Sequence, residues 1–406
     1  MNKPPSTATV RWLMAAAGLL VLSGGASAQT SPYYLGLSQT FTHNSNLFIR
    51  PSGSETSEKI SSTGLRAGVD QTLGRQQLLV DAAVNANRYS SNSQLNNTGY
   101  SLNGRLNWET VERLSGTLSA NTQQSLFLYN LTGAPYTSRV LRRSQGVDLQ
   151  ARLGGVTEWS FEAGMSANRE RFSDVNLSNR NLNRQAVNGG VRWRPTGNLS
   201  LFLGGRHATA DYPNFSALGS DEVKRDDIDL SSTLEASGAS TVSARLSRSR
   251  TTHSQLALRN GNGWTGALNW GWRPTGKLTV DYGVSRDNNF GQTTNTLVDN
   301  SDTVIGTFYS ARAAWEATGK INVTGGLTFG RRTVDNTFSI GGTSLTPTRS
   351  GDKTTTVSLG LTYQPLRNVD LGCSFNWNDR QPNAGATVTY AYSVRIISCF
   401  GQVYLR

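Results

Sequence analysis

Two cysteines, three histidines and three methionines are all that 406 residues contain, and acids are outnumbered by bases, 27 against 39. Two cysteines cannot build a disulfide framework; they allow one bridge at most. His43, His207 and His253 do not cluster at metal-ligand spacing, so no metal or other cofactor is expected. His207 with Asp211 could form a base and its orienter. A surface histidine beside a loop aspartate is commoner, and no nucleophile elbow or second acidic pair accompanies it. The chain does not read as an enzyme, and nothing in it points to a nucleic-acid partner.

Long apolar runs are also scarce. The only one lies at the start, where Lys3 and Arg11 precede the run Trp12–Leu22 and then Ala26-Ser27-Ala28. A basic region, a short apolar core and an A-x-A site make residues 1–28 a secretory signal, since the run is too short to span a membrane. Its removal takes Lys3 and Arg11 away and lowers the net charge from +12 to +10. After it, no stretch reaches the ~20 apolar residues of a transmembrane helix. An exported chain this polar, with mean hydropathy -0.41, is either soluble or a membrane β-barrel.

Periodicity decides between them. Leu78, Val80, Ala82, Val84 and Ala86 alternate with Leu79, Asp81, Ala83, Asn85 and Asn87. The same alternation of period two starts at Leu199 and at Ile321, and it is the strand signal. The stretches run about ten residues, enough to cross a bilayer at a tilt and longer than the roughly 5–6 of a soluble sandwich.

The turns recur. Trp193-Arg-Pro-Thr-Gly-Asn-Leu199 returns as Trp272-Arg-Pro-Thr-Gly-Lys-Leu278, then more loosely from Trp315 and from Tyr363. Pro and Gly supply turn dihedrals, and an aromatic at the mouth of the turn suits a membrane–water interface. Counting such turns near Gly74–Arg75, Thr110–Glu112, Gly155–Glu158, Pro195–Asn198, Ser237–Ser240, Pro274–Lys277, Ala317–Lys320 and Pro365–Asn368 gives sixteen strands. Tyr33–Thr42 and Tyr390–Arg406 add one at each end. Longer polar connections lie between, among them Arg50–Lys59, Leu126–Arg143, Asp211–Arg225, Asn288–Asp302 and Thr333–Asp352.

Residues 29–406 are therefore expected to form an all-β, antiparallel outer-membrane barrel of about 18 strands, with 16 the fallback. Turns are short on the periplasmic side, loops long outside, and both termini periplasmic. A lumen of that size is too wide for wall side chains to fill. Only Gln29 to Pro32 precede the first strand, so no separate plug domain is expected. Any constriction must come from a loop, with Leu126–Arg143 and Thr333–Asp352 the longest candidates.

On the polar phase of the strands stand Arg66, Arg105, Arg152, Arg192, Arg206 and Arg245. In a lipid-embedded barrel that phase faces the lumen, giving a positive, anion-leaning pore. Alternatively these arginines pair with acids of neighbouring strands, such as Glu109 and Asp148. Cys373 and Cys399 fall nearly opposite each other on the last two strands, and an oxidising periplasm favours a bridge if both sulfurs share a face.

The stretch Tyr33-Tyr-Leu-Gly-Leu-Ser-Gln-Thr-Phe-Thr-His-Asn-Ser-Asn-Leu-Phe48 resembles the start of the EpsL-type outer-membrane β-barrels of exosortase-associated exopolysaccharide operons. Further similar phrases are Gly74-Arg-Gln-Gln77, Asn87-Arg-Tyr89, Tyr100-Ser-Leu-Asn-Gly104, Asp211-Tyr-Pro-Asn214, the Arg-Pro-Thr-Gly turns and Ser398-Cys399. His43 and Ser45 depart from the acidic character usual in that family's first strand. Arg406 stands where a terminal aromatic is usual. The resemblance implies export or assembly of a secreted polysaccharide, with outer-membrane lipid, the polysaccharide and other export components as partners. It transfers no catalytic residue. A general anion-leaning porin is the alternative, and an outer-membrane hydrolase or a structural or adhesive barrel are further classes.

Overall fold

In the computed structural model, alternation becomes a ring. The structure describes residues 31–405 apart from 111–112, 129–136, 156, 217–218, 256–259, 289–303, 337–338, 341–342, 345–347 and 384–389. The 1–28 signal lies outside these.

The strands are β1 (Tyr33–Asn44), β2 (Glu58–Leu73), β3 (Gln76–Tyr89), β4 (Asn97–Glu109), β5 (Leu114–Leu126) and β6 (Leu141–Leu153). Next come β7 (Trp159–Phe172), β8 (Leu182–Thr196), β9 (Leu199–Ser216), β10 (Gly219–Ser237), β11 (Ser240–His253) and β12 (Gly261–Thr275). Then follow β13 (Leu278–Asn288), β14 (Val304–Thr318), β15 (Ile321–Asn336), β18 (Thr348–Leu366), β19 (Val369–Pro382) and β20 (Tyr392–Leu405). A small separate hairpin, β16 (Ser339–Ile340) and β17 (Thr343–Ser344), lies between β15 and β18.

Each strand pairs antiparallel with its neighbour in sequence, in one 18-stranded sheet. The ring closes where β1 meets β20, from Leu35 opposite Leu405 to Asn44 opposite Ile396. Closure leaves no strand edge to be satisfied in lipid, where an unpaired backbone group costs several kcal/mol.

Directly opposed residues share a face, so the register sorts the two phases. Leu35, Leu37 and Phe41 on β1 stand opposite Leu405, Val403 and Cys399 on β20, all pointing out. Ser38, Thr40 and Thr42 stand opposite Gln402, Phe400 and Ser398, pointing in. The outer phase carries the large exposed apolar residues, such as Leu65, Leu102, Leu203, Leu230 and Leu327, which only lipid can cover.

Each expected short turn falls between two consecutive paired strands; residues 111–112 and 156, in two of them, lie outside the described residues. At the repeated phrase the ladder skips between Trp193 and Thr196, Trp272 and Thr275, and Tyr363 and Leu366. Pro195, Pro274 and Pro365 fall within these bulges, where no ladder N–H is needed. The aromatic before each bulge points outward. Trp193 stacks on Trp159 with ring centroids 5.7 Å apart, and Trp270 stacks on Trp272 at 5.9 Å and on Tyr282 at 5.3 Å. They form an interfacial girdle at the short-turn end.

Asp211–Arg225 is not a loop. β9 runs to Ser216 and β10 starts at Gly219, because alternation persists above the lipid. Ala208, Ala210, Tyr212 and Val223 remain inward and buried with Leu182 and Ala186, while outward Asp211, Glu222, Lys224 and Asp226 are charged. Thr333–Asp352 is likewise shortened from both ends, since β15 reaches Asn336 and β18 begins at Thr348. Strands therefore span 11 to 19 residues instead of about ten.

Candidate functional site

The lumen is the candidate site, and its wall is unevenly charged. The register sets all six arginines on the inner phase. Arg66 stands opposite Gly36 and Ala83, and Arg105 opposite Leu79 and Ser119. Arg152 stands opposite Ser115 and Glu162, and Arg192 opposite Ser160 and Phe202. Arg206 stands opposite Asn188 and Asp227, and Arg245 opposite Ser231 and Ala267.

Four of the six are tied to carboxylates. Glu162 accepts from Arg192 Nε and Nη2 at 2.6 and 3.0 Å and pairs with Arg152 Nε at 2.8 Å. The Arg192 guanidinium also lies over the Phe202 ring at 5.2 Å. On β9 to β13 a second chain runs around the wall. Asp227 accepts from Arg206 Nη2 at 2.6 Å and from Arg225 Nε at 2.7 Å. Asp287 accepts from Arg245 Nη2 at 3.0 Å, with Arg225 Nη2 at 3.8 Å. Arg332 and Asp352 form a bidentate pair at 2.8 and 2.6 Å. The fork-on-fork contacts of Arg192 with Glu162 and of Arg332 with Asp352 fix both partners.

Arg66 and Arg105 make no ion pair among the described residues. Neither Glu109 nor Asp148 serves as the partner: Glu109 approaches Arg75 at 4.0 Å, and Asp148 accepts from Gln150 at 3.2 Å. Arg225, Asp227, Asp287 and Arg332 were not legible as wall residues. Arg225 ends the segment expected as a loop and Asp227 lies just beyond it; the every-second-residue pattern Asp221, Val223, Arg225, Asp227, Asp229 is the signal that places both on the wall.

The positive excess does not reside in the lumen. Inward arginines are matched by inward Asp70, Asp81, Asp148, Asp229, Asp281 and Asp370 beside the paired acids. Net charge was therefore a poor guide to the pore, because much of the excess sits on the outer phase and the turns. Across the ring, the wall opposite β10 is less charged, with Asp352, Asp370 and Arg380 its inward charges among the described residues. β1 is nine strands away, and with β18 to β20 it presents Ser38, Thr40, Thr356, Ser358, Asn376 and Ser398 inward.

Among the described residues, the β1–β2 connection folds into the mouth. In the β1–β2 connection Leu47, Phe48 and Ile49 are only 2–3% exposed. Leu47 and Phe48 pack with Leu95 and with inward-facing Ile60 and Tyr89, and Ile49 with Tyr392 and Val394. Of Leu126–Arg143, Phe127 and Val140 pack with Phe172 and Leu177; the centre of that loop and residues 337–338, 341–342 and 345–347 of Thr333–Asp352 lie outside the described residues.

Two carboxylates brace the mouth above the apolar band. Glu58 accepts from Asn92 Nδ2 at 2.6 Å, Ser90 Oγ at 2.9 Å and Ser91 N at 3.0 Å. Burial alone would raise its pKa, but these hydrogen bonds outweigh burial and hold it below the usual carboxylate range. Asp221 accepts from His253 Nδ1 at 3.1 Å, Ser254 Oγ at 3.0 Å and Gln255 N at 2.9 Å. It too is lowered against the effect of burial by those bonds and by His253. Ser254 serves the carboxylate, and so is not poised as a nucleophile on the imidazole. His207 pairs with Asp226 at 2.6 Å on the outer face, not with Asp211.

The disulfide Cys373–Cys399 joins directly opposed residues of β19 and β20, with Cα atoms 4.1 Å apart. It lies on the outer phase, in a row that continues to Leu361 on one side and Phe41 on the other.

No protein-family model matches the chain, and no curated protein does. Solved structures do. The outer-membrane protein OccK1 (OpdK) of Pseudomonas aeruginosa aligns over 92% of this chain and 99% of its own, at 11% identity and TM-score 0.51. OccK2 (OpdF) of the same organism aligns over 92% and 98%, at 13% identity and TM-score 0.51. At such identities the likeness is one of fold. The chain is an 18-strand β-barrel of the outer membrane.

Proposed function

We propose that the chain is a passive porin for small polar solutes, with a modest lean towards anions. The carrying observation is the two-sided lumen. A wall rich in paired guanidinium and carboxylate groups, from β6 to β15, faces a wall made mainly of hydroxyls and amides on β18 to β20 and β1. Water-filled lumens of this kind pass solutes by size and charge without a dedicated binding pocket. Inward acids balance the inward arginines overall, so the lean is set locally, where Arg66 and Arg105 stand without an ion pair among the described residues. The inward Leu47–Ile49 segment narrows the mouth, which favours small solutes over a polymer. Swelling of liposomes loaded with the protein tests this: rates should fall as sugars grow from mono- to tetrasaccharide. Absence of swelling with any sugar would overturn it.

The second reading is passage or docking of an acidic exopolysaccharide, supported by the resemblance of Tyr33–Phe48 and the later phrases and by the hydroxyl wall, which suits sugar ring hydroxyls. Its test is the amount of polysaccharide secreted by a deletion strain; an unchanged amount would rule it out.

A further inference from the structure

Outward residues change character along the strands, and differently at the two ends. At the short-turn end the apolar band is bordered by Trp159, Trp193 and Trp315. At the loop end it gives way to exposed bases, such as Arg143, Arg169 and Arg331.

Beside the seam this border forms a groove. There β20, β1, β2 and β3 form an open groove of about 510 Å³ on the outer wall, within the ~300–1,000 Å³ range of ligand clefts. Its lower part is Phe41, Ile397 and Cys399, and its upper part His43, Lys59 and Arg88. The register makes this a single surface: Phe41 stands opposite Cys399, His43 opposite Ile397 and Lys59, and Arg88 opposite Ser61. Lys59 and Arg88 are exposed and make no ion pair among the described residues.

An apolar trough at hydrocarbon depth topped by two unpaired cations fits a ligand with acyl chains below and anionic charge at headgroup level. A zwitterionic phospholipid fits less well, since its phosphate carries its own ammonium. A single-phosphate anionic lipid supplies one charge for two cations. We propose that this groove binds a multiply acylated sugar phosphate carrying two phosphates, a glycolipid of the outer leaflet, and that Lys59 and Arg88 contact its phosphates. The site is on the outer wall and is independent of what crosses the lumen.

Native mass spectrometry of the full detergent-solubilised chain tests it, with bisphosphorylated lipid A, its fully dephosphorylated form and phosphatidylglycerol as probes. The bisphosphorylated lipid should bind at concentrations where the other two do not. In Lys59→Gln/Arg88→Gln its half-saturation should rise about tenfold or more, because each cation at a membrane surface is worth ~1 kcal/mol. Equal binding of the dephosphorylated form would overturn phosphate recognition. Equal binding of phosphatidylglycerol would overturn the preference for a sugar phosphate. Both comparisons use the wild-type chain and stand even if the variant misfolds. An unchanged half-saturation in a variant that keeps heat-modifiable mobility would overturn the assignment of the two residues.

Discussion

Asn46 closes a ring on Arg50: its Oδ1 accepts from Arg50 N and its Nδ2 donates to Arg50 O, both at 2.8 Å. Between them Ile49 sits at φ 51, a left-handed conformation that costs a β-branched residue on the order of 1–3 kcal/mol. Tyr390 Oη donates to Ile49 O at 2.8 Å, and the Ile49 side chain is buried on Tyr392 and Val394. The strain is thus held by one amide side chain, one phenol and an apolar socket, and its result is a segment turned into the mouth.

Asn46→Ala removes both bonds to Arg50 at a cost of about 2 kcal/mol, comparable with the strain they hold. The segment should then leave the mouth. Planar-bilayer recordings should show a higher or noisier single-channel conductance, with the barrel's heat-modifiable mobility unchanged. Conductance identical to wild type would show that Leu47–Ile49 does not obstruct the path.

The inner charges divide into paired and unpaired groups, and the two should respond differently to loss. Arg66→Gln with Arg105→Gln removes two unpaired guanidiniums, so reversal potentials should move towards cations, most at low salt where screening is weakest. Folding should be unaffected. Arg206→Gln removes the guanidinium that gives Asp227 Oδ2 two hydrogen bonds, and the Asp227 side chain, 0% exposed, keeps Arg225 as its cation. Breaking a buried pair costs roughly 3–5 kcal/mol, and because Arg225 remains the loss should lie at the lower end. It should show as a lower temperature for the gel-mobility shift. Arg206→Gln matching wild type in that assay would mean the ladder is not structural.

Much of this fold could be read from the sequence because a membrane barrel writes two simple signals into its chain. Period-two alternation sets the phase of each strand, and the Trp-Arg-Pro-Thr-Gly turns count the hairpins. Where those signals are local, as at Leu78–Ala86 or Pro195–Asn198, strands and turns stand as expected. What composition hid was the partner of each charge. Asp227 and Asp287 meet Arg206 and Arg245 only through the register between strands, and net charge says nothing of which phase carries the excess. The inward turn at Asn46–Arg50 was equally invisible, because an isoleucine gives no sign of a left-handed backbone and its socket comes from Tyr390 and from β20, over 340 residues away in sequence.

Acid should loosen the mouth before the barrel. Glu58 and Asp221 both have pKa values lowered in the folded chain. Their stabilisation is complete above their ordinary unfolded values, near 4.5 and 3.8, and is lost as pH falls from there through the lower folded values. Hydrogen exchange at pH 3 against pH 7, corrected for intrinsic rates, should show lost protection at Ser90–Ser91 and at His253–Gln255. Strand centres should keep theirs. Glu58→Gln should show loosened Ser90–Ser91 amides already at pH 7; the same protection in variant and wild type would refute the bracing role.

The disulfide makes the sharpest statement about which face meets lipid. Leu361, Cys373, Cys399 and Phe41 form one cross-strand row on the outer phase. A hydrophilic, charged reductant must therefore enter hydrocarbon to reach either sulfur, which is strongly unfavourable. In liposomes the bridge should resist a water-soluble phosphine, and unfolding in denaturant should expose it at once. Cys373→Ser with Cys399→Ser should still fold, because backbone pairing of β19 and β20 extends from Val369 to Arg380. It should unfold more readily, since the bridge closes a sequence separation of 26 residues, a constraint worth about 3 kcal/mol on the unfolded chain. Reduction as fast in liposomes as in denaturant would place the sulfurs in water, and would reverse the inner and outer phases of the closing strands. Complete alkylation of both thiols without reductant would remove the bridge itself.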